Sequence, residues 1–289
     1  MRPPPIRHIG YYLNIAILLL IAVLMTYPLW YVFMFSVSSR GAVSSGELLF
    51  YPKQFTLNNL RFVLSSPEVR NAYYTTFLVV VPGTIMSLTV TALLSYPLST
   101  RIPGVPLISL LAYITIVFHG GIIPTFVIVK ATGLLDTRWS LILPQLVNPF
   151  YIFIMVKFFR QVPDSLAESA NIDGASDFTI MLRIMLPLSL PVLATISLFY
   201  AVRYWNSFFD AIIYISDPTK RPLQVLLRNL LIIDEHDPVG ASTSKERAGI
   251  TREGIKMTTT VVTVVPILLV YPFLQKYFVK GLMIGAVKG

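Results

Sequence analysis

The sequence predicts an all-α membrane protein with six transmembrane helices. The chain has 289 residues, of which 55% are hydrophobic and 13% are charged, and its mean hydropathy is +0.70. Soluble domains carry about 25% charged residues, so roughly half that share favours a protein embedded in a bilayer. The chain contains no cysteine, which excludes disulfides, thiolate metal sites and cysteine nucleophiles. The net charge of +9 fits basic residues that anchor span ends at lipid headgroups.

Six windows have the roughly 20 mostly apolar residues that a spanning helix needs. The first follows Arg2 and Arg7 and is longer than a signal-peptide core of about 7–15 residues, so it predicts an uncleaved span. Prolines such as Pro82 and Pro149 lie inside the windows and predict kinked helices packed in a bundle. The predicted spans are residues 11–36, 72–97, 106–129, 139–160, 185–215 and 257–279.

The connections between these windows differ in length. Residues 37–71 and 216–256 form two long polar loops, whereas residues 98–105 form a tight turn. Within the second loop, Pro222–Ile233 has the apolar pattern of a helix outside the membrane, and the charged stretch Asp234–Glu253 predicts a mobile segment. Basic residues do not decide which side the loops face, because long loops contribute little to the positive-inside rule.

A polar segment at residues 163–184 separates the fourth and fifth windows. Pro163 and Asp164 are predicted to open a short helix, because Asp is a favoured N-cap residue. Gly174 permits a sharp turn. Four carboxylates keep the segment out of lipid: Asp164, Glu168, Asp173 and Asp177. The pattern predicts an interfacial helix–turn–helix that a partner protein outside the bilayer binds, although an acidic amphipathic loop without a partner is an alternative.

The spacing in this segment resembles the EAA loop of ABC-importer permeases, by which such a subunit docks onto its ATPase. It reads Glu-x-Ala, three residues, Gly, nine residues, Ile-x-Leu-Pro, with Ser169 where a second Ala is usual. The resemblance assigns ATPase coupling to Glu168, Ser169, Ala170, Asp173, Gly174, Ile184, Leu186 and Pro187. It also implies the type I importer architecture, a cytoplasmic coupling helix and cytoplasmic termini.

Four further segments are similar to the carbohydrate branch of these permeases, in particular to the maltose-type second permease subunit. They are residues 118–125, 133–137, 205–210 and 275–281. This resemblance implies a multi-pass protein of the bacterial cytoplasmic (inner) membrane that works by alternating access. Its implied partners are a homologous second permease in a heterodimer, two ATPase subunits that bind ATP and Mg, an extracytoplasmic solute-binding protein and an oligosaccharide. We expect no catalytic residue, cofactor, metal or nucleic-acid partner in this chain.

A polar stripe in the fifth window is the main candidate for the substrate path. The stripe consists of Arg203, Asn206, Ser207 and Asp210, which fall at i, i+3, i+4 and i+7 on one face of a helix. Two aromatic residues, Tyr204 and Trp205, flank it. The candidates are Arg203, Tyr204, Trp205, Asn206, Ser207 and Asp210, together with Gln145, Asn148 and Tyr151 of the fourth window and His119. Arg203 and Asp210 could equally pair with other residues to hold the bundle together, and His119 fits a packing role.

Arg203 suggests an acidic cargo, such as a uronate-containing oligosaccharide from alginate or pectin, because guanidinium pairs with carboxylate. A neutral oligosaccharide is comparably compatible with the stripe. Peptide transport by an ABC permease of another branch is an alternative that the Trp205–Asn206 stretch disfavours.

Two other classes of protein fit the sequence less well. An ion-driven secondary transporter often shows internal repeats and midplane carboxylates, which are not evident here. A membrane enzyme needs convergent catalytic groups, and the acidic residues are scattered. Gly240–Lys245 only approximates a phosphate-binding loop, because it lacks the glycine before lysine.

Overall fold

The computed structural model describes residues 6–39, 50–52, 54–100, 102–232 and 252–286. Throughout these ranges the regular structure is helical and no strand occurs, so the predicted all-α class is confirmed. Most of the predicted mobile stretch, including Gly240–Lys245, lies outside the described residues. The helix expected at Pro222–Ile233 is present as Leu223–Ile232.

Within the described ranges, three helices are long and apolar enough to cross a bilayer unaided. They are α1 (Ile6–Ser36), α3 (Pro67–Ser99) and α13 (Arg252–Ala286). All three contain internal proline, as expected of membrane helices whose freed carbonyls find other partners. The shorter α2 (Asn58–Ser65) precedes α3.

The third, fourth and fifth predicted spans are each broken into two helical segments that meet at more than 40°, a larger departure than the kinks that the sequence predicted. The third span consists of α4 (Val105–Val117) and α5 (Ile122–Ala131), which meet at 113°. Two 3₁₀ turns at 138–145 meet α6 (Pro149–Phe159) at 51°. Six spans result only if each bent pair counts as one. Gly121 at φ +86° and Pro149 explain two of the breaks, since glycine admits this backbone and proline removes a donor.

The fifth window departs from a single helix at more than one point. It is preceded by α7 (Asp164–Ile172) and α8 (Asp177–Ile180), and a π-helical turn at Met181–Met185 leads into α9 (Leu186–Leu188). The segment 177–188 then meets α10 (Leu190–Trp205) at 85°. A second break separates α10 from α11 (Phe208–Tyr214), and α12 (Leu223–Ile232) follows a short loop.

The chain divides into two compact units, of which residues 1–69 and 227–265 form the first. Inside this unit, Met34 and Phe35 pack with Tyr31 and Met257. The buried Asn59 side chain donates to the carbonyl oxygens of residues 36 and 38, at 3.3 and 3.2 Å, and so ties α2 to the end of α1. None of the apolar spanning window of α1 is buried.

The second unit comprises residues 70–226 and 266–289, and α10 packs on α3 at its centre. The hydroxyls of Tyr200 and Tyr204 share hydrogen bonds of 2.8 Å with Thr91 Oγ1 and Ser87 Oγ respectively. Both tyrosines are fully buried. At Gly83 an added Cβ would lie 2.9 Å from the Tyr204 ring, so α3 must carry glycine there for the two helices to meet.

Candidate functional site

A cavity of about 1090 Å³ lies in the second unit, with walls supplied by α3, α10, α11 and the 266–270 segment of α13. Most of the wall is apolar, including Phe77, Phe199 and Phe209. The polar and polar-tipped side chains on the wall are all predicted path residues, from the stripe and from the fourth window: Gln145, Tyr151, Arg203, Trp205, Asn206, Ser207 and Asp210. The structure therefore brings together seven of the ten predicted path residues.

An amide bridge, composed of Arg203, Gln145 and Asp210, crosses the cavity wall. Arg203 Nε donates to Gln145 Oε1 at 2.6 Å, and Gln145 Nε2 donates to an Asp210 carboxylate oxygen. Gln145 is buried, at 8% exposure. The guanidinium and the carboxylate form no direct ion pair with each other, so the amide links two opposite charges that remain apart.

The amide bridge spans the break between α10 and α11. Arg203 lies in the last turn of α10, Asp210 lies in the first turn of α11, and Asn206 and Ser207 form the break. The predicted stripe is thus not one face of a continuous helix, although its four members all line the cavity. Trp205 Nε1 and Ser207 Oγ are buried and have no hydrogen-bond partner among the described residues.

Three predicted path residues lie elsewhere. Tyr204 is a packing residue between α10 and α3. Asn148 caps α6, since its side chain accepts from the Phe150 backbone N–H at 3.0 Å. His119 is exposed in the break between α4 and α5. Their residue types were compatible with a cavity lining. Packing against α3, in the case of Tyr204, and local backbone geometry, in the case of Asn148 and His119, instead determine where they lie.

The phenylalanines of the cavity wall were not predicted, whereas Trp205 and Tyr151 were. Phe77 meets Trp205 edge-on at a centroid distance of 6.2 Å, and Phe199 stacks on Tyr151 at 5.6 Å. Such rings are suited to contact the apolar faces of sugars or other flat ligands. Because the spans are apolar all round, periodicity does not distinguish a cavity-facing Phe from a lipid-facing one.

The short helix α7 forms a knob that ends in a well-defined turn. The Gly174 N–H donates to Asn171 O at 3.0 Å and the Ala175 N–H donates to Ala170 O at 2.9 Å, the two hydrogen bonds of a Schellman motif. Gly174 has φ +84°, as this motif requires. Pro163 occupies the N-cap position and makes no side-chain cap. The predicted capping role of Asp164 is therefore wrong, and Asp164 instead lies in the favourable first turn.

One side of this knob packs on the protein and the other is open. Ala167, Ala170 and Ala175 contact the core of the second unit, as do Ile184 and Leu186 further along. Glu168, Ser169 and Asp173 are exposed, and Ile172 is 87% exposed at the tip. Pro187 stands at the start of α9. The knob thus presents an apolar tip rimmed by carboxylates, and α8 and α9 connect it to the cavity helix α10 through an 85° bend.

A latch formed by Asp136, Asp217 and Lys220 joins the turn after α5 to the loop after α11. Asp136 has φ +56° and its Oδ1 accepts from the backbone N–H groups of Ser216 and Asp217, at 3.1 and 2.9 Å. Lys220 Nζ lies 3.1 Å from Asp136 Oδ2 and 3.4 Å from Asp217 Oδ2. The hydrogen bond from the Asp217 backbone N–H is the largest cause that lowers the pKa of Asp136, and the hydrogen bond from Lys220 lowers it further. The hydrogen bond to Asp136 in turn raises the pKa of Lys220.

We expect the latch to stabilise the fold only while both charges are present. A carboxyl whose pKa is lowered by folding stabilises the protein at pH values above its ordinary pKa. That stabilisation is lost as the pH falls through the folded pKa. An ammonium group with a raised pKa contributes below its ordinary value and loses it at high pH. Lys220→Met should therefore lower the melting temperature of the detergent-solubilised protein slightly at pH 7, and the difference should shrink as the pH falls below the ordinary Asp pKa and through the lowered pKa of Asp136. Lys130→Met, an exposed control, should leave the melting temperature unchanged at pH 7 and at acidic pH. An effect of Lys220→Met that does not depend on pH would contradict the latch.

The fold and the site define a multi-pass membrane permease, with a cavity inside its helical unit and a polar knob outside it. The chain belongs to the family described as binding-protein-dependent transport system inner membrane component, which matches residues 7–284. The ABC-importer permease membership that the coupling spacing predicted is thereby confirmed, as is the inner-membrane location. The chain is a transport subunit and not an enzyme.

Comparisons with individual proteins agree with this assignment. The chain is 42% identical over 274 residues to the polygalacturonan/rhamnogalacturonan transport system permease protein YtcP of Bacillus subtilis, covering 94% of this chain and 96% of the relative. It is 42% identical over 263 residues to protein LplC of the same organism, covering 91% and 89%. A solved bacterial ABC transporter involved in the import of the acidic polysaccharide alginate superimposes with a TM-score of 0.88 at 29% identity, covering 96% of this chain and 99% of that one.

Proposed function

We propose that this chain is one permease subunit of an ATP-driven importer for acidic, uronate-containing oligosaccharides. The observation that carries the proposal is the guanidinium of Arg203 on the cavity wall. Its Nε is engaged by Gln145, and its two terminal nitrogens have no hydrogen-bond partner within the described part of the chain. A planar cation with two open donors fits a carboxylate in bidentate geometry.

The relatives support an acidic cargo. One relative that is 42% identical is a polygalacturonan/rhamnogalacturonan permease, and the superimposable structure belongs to an alginate importer. Polygalacturonan and alginate are both polymers of uronic acids. The aromatic wall formed by Phe77, Trp205 and Tyr151 complements the guanidinium, because sugar rings offer apolar faces as well as charged substituents.

The knob supports coupling to a separate ATPase. A large aliphatic side chain that is 87% exposed, such as Ile172, is stabilised when a partner covers it. The partner ATPase subunits would bind ATP and Mg, dock on α7 and drive alternating access through α8, α9 and α10. A homologous second permease and an extracytoplasmic binding protein complete the proposed importer, and the uncovered apolar surface of α1 is available to lipid or to the second permease.

Replacement of Arg203 tests the cargo class. In the reconstituted importer we expect Arg203→Gln to lower uptake of a trigalacturonate by about tenfold or more, because a hydrogen bond to a charged group contributes about 1.5–3 kcal/mol. Uptake of the methyl-esterified trisaccharide should change by less than about threefold. Arg138→Gln is the matched control, since Arg138 bonds to Thr75 and lies over the Tyr74 ring, away from the cavity. Equal losses for both sugars would show that Arg203 only supports the bundle.

A further inference from the structure

The amide bridge has a fixed polarity. A glutamine amide offers a donor and an acceptor at opposite corners, and here the oxygen faces the cation and the nitrogen faces the anion. The Gln145 backbone N–H is itself held by the carbonyl oxygen of residue 142 at 3.2 Å, in a short 3₁₀ turn. Gln145 is therefore an anchored group inserted between two charges, and neither a lysine nor a carboxylate could make both hydrogen bonds.

Removal of the amide would let the two charges meet. Arg203 and Asp210 flank the same break in the fifth span, and both border the cavity. At a site of low dielectric, a guanidinium and a carboxylate attract strongly and prefer a bidentate pair. Such a pair would occupy the terminal nitrogens of Arg203, which are open in this structure.

We infer that Gln145 is a specificity-determining positioning residue, which keeps the Arg203 guanidinium available to the cargo by holding Asp210 away from it. The inference rests on the proposed import of acidic sugars. Gln145 does two things at once: it satisfies Asp210 with a neutral donor, and it engages only the Nε of Arg203. An incoming carboxylate meets open guanidinium donors and an Asp210 that is already hydrogen-bonded.

The test uses the complete reconstituted importer and the same pair of sugars. Gln145→Leu should lower trigalacturonate uptake by about tenfold, because Arg203 is captured by Asp210, and should change uptake of the methyl ester by less than about threefold. Adding Asp210→Asn to Gln145→Leu should raise trigalacturonate uptake at least about threefold above that of Gln145→Leu alone, since no carboxylate remains to capture the guanidinium. A purely structural glutamine would not be rescued in this way.

Two outcomes separate this inference from the proposed function. If the unaltered importer takes up the methyl ester as well as trigalacturonate, the proposed cargo fails, and if Arg203→Gln leaves an existing preference intact, Arg203 does not recognise the carboxylate. If Arg203→Gln abolishes the preference while Gln145→Leu retains it, or the Asp210→Asn rescue is absent, only the role of Gln145 is overturned. Gln145→Glu keeps the side-chain volume and serves if the leucine variant does not assemble. Its carboxylate would pair with Arg203 directly, and it should lower acidic uptake by the same factor or more.

Discussion

Gly174→Pro should uncouple this permease from the proposed ATPase partner. The amount of ATPase recovered by co-purification and the rate of transport should each fall by at least about tenfold. Gly174 has φ +84°, whereas proline is held near −65° and has no N–H. The substitution therefore removes the hydrogen bond to Asn171 O and cannot adopt the turn that ends α7. Gly174→Asn is the matched control and should retain coupling, because asparagine tolerates the left-handed region.

A second variant distinguishes docking from folding of the knob. Ile172→Asp leaves the turn intact and places a charge on the exposed tip, so it should also weaken ATPase binding by at least tenfold, since burial of such a side chain contributes about 1.5–3 kcal/mol. Leu57→Asp, at 50% exposure in the 37–71 loop, should have no effect. Full ATPase recovery with both Gly174→Pro and Ile172→Asp would contradict the coupling role of this segment.

Gly83→Val should prevent normal assembly of the helical core. An added Cβ at Gly83 lies 2.9 Å from Tyr204 Cε2 and 3.0 Å from its Cζ. The ring is fully buried, and its hydroxyl is bonded to Ser87 and to Ile142 O, so it has no free direction in which to yield. Overpacking of this kind costs about 1–3 kcal/mol or more. We expect a clear fall in melting temperature and in the monodisperse yield on size-exclusion chromatography.

Gly10→Val provides the matched control for this substitution. Gly10 also lies in a long apolar helix, but no atom lies within 4 Å of its added Cβ. The control should therefore keep nearly normal stability and yield. Equal behaviour of the two valine variants would show that α3 and α10 do not approach as closely as the structure places them.

The parts of this protein that could be predicted are those written in contiguous sequence. Low charge and long apolar windows require helices in a bilayer, because lipid leaves no other partner for backbone groups. The short helix of the knob and its turn were also predictable, since Asp164 and Gly174 lie within one contiguous polar segment. The helix α12 was found from its apolar pattern in the same way.

The interruptions of the third, fourth and fifth spans were not predictable to the same degree. Proline and glycine inside an apolar window are compatible with a mild kink or with a full break, and the 113° and 85° bends depend on what packs around them. The role of Tyr204 illustrates the same limit. Its neighbours Trp205 and Asn206 line the cavity, but Gly83 and Ser87, more than a hundred residues earlier, draw Tyr204 into the core.

By itself the sequence determined that this chain crosses a membrane as helices, carries an exposed knob with the spacing of an ABC-permease loop and places polar residues within its fifth span. Only the tertiary structure decided that Gln145 lies between Arg203 and Asp210, which are 58 and 65 residues away along the chain. Hydropathy indicates whether a segment lies in lipid or in water, and motif spacing indicates its local structure. The meeting of distant side chains depends on how bent helices pack, and no local pattern records that packing.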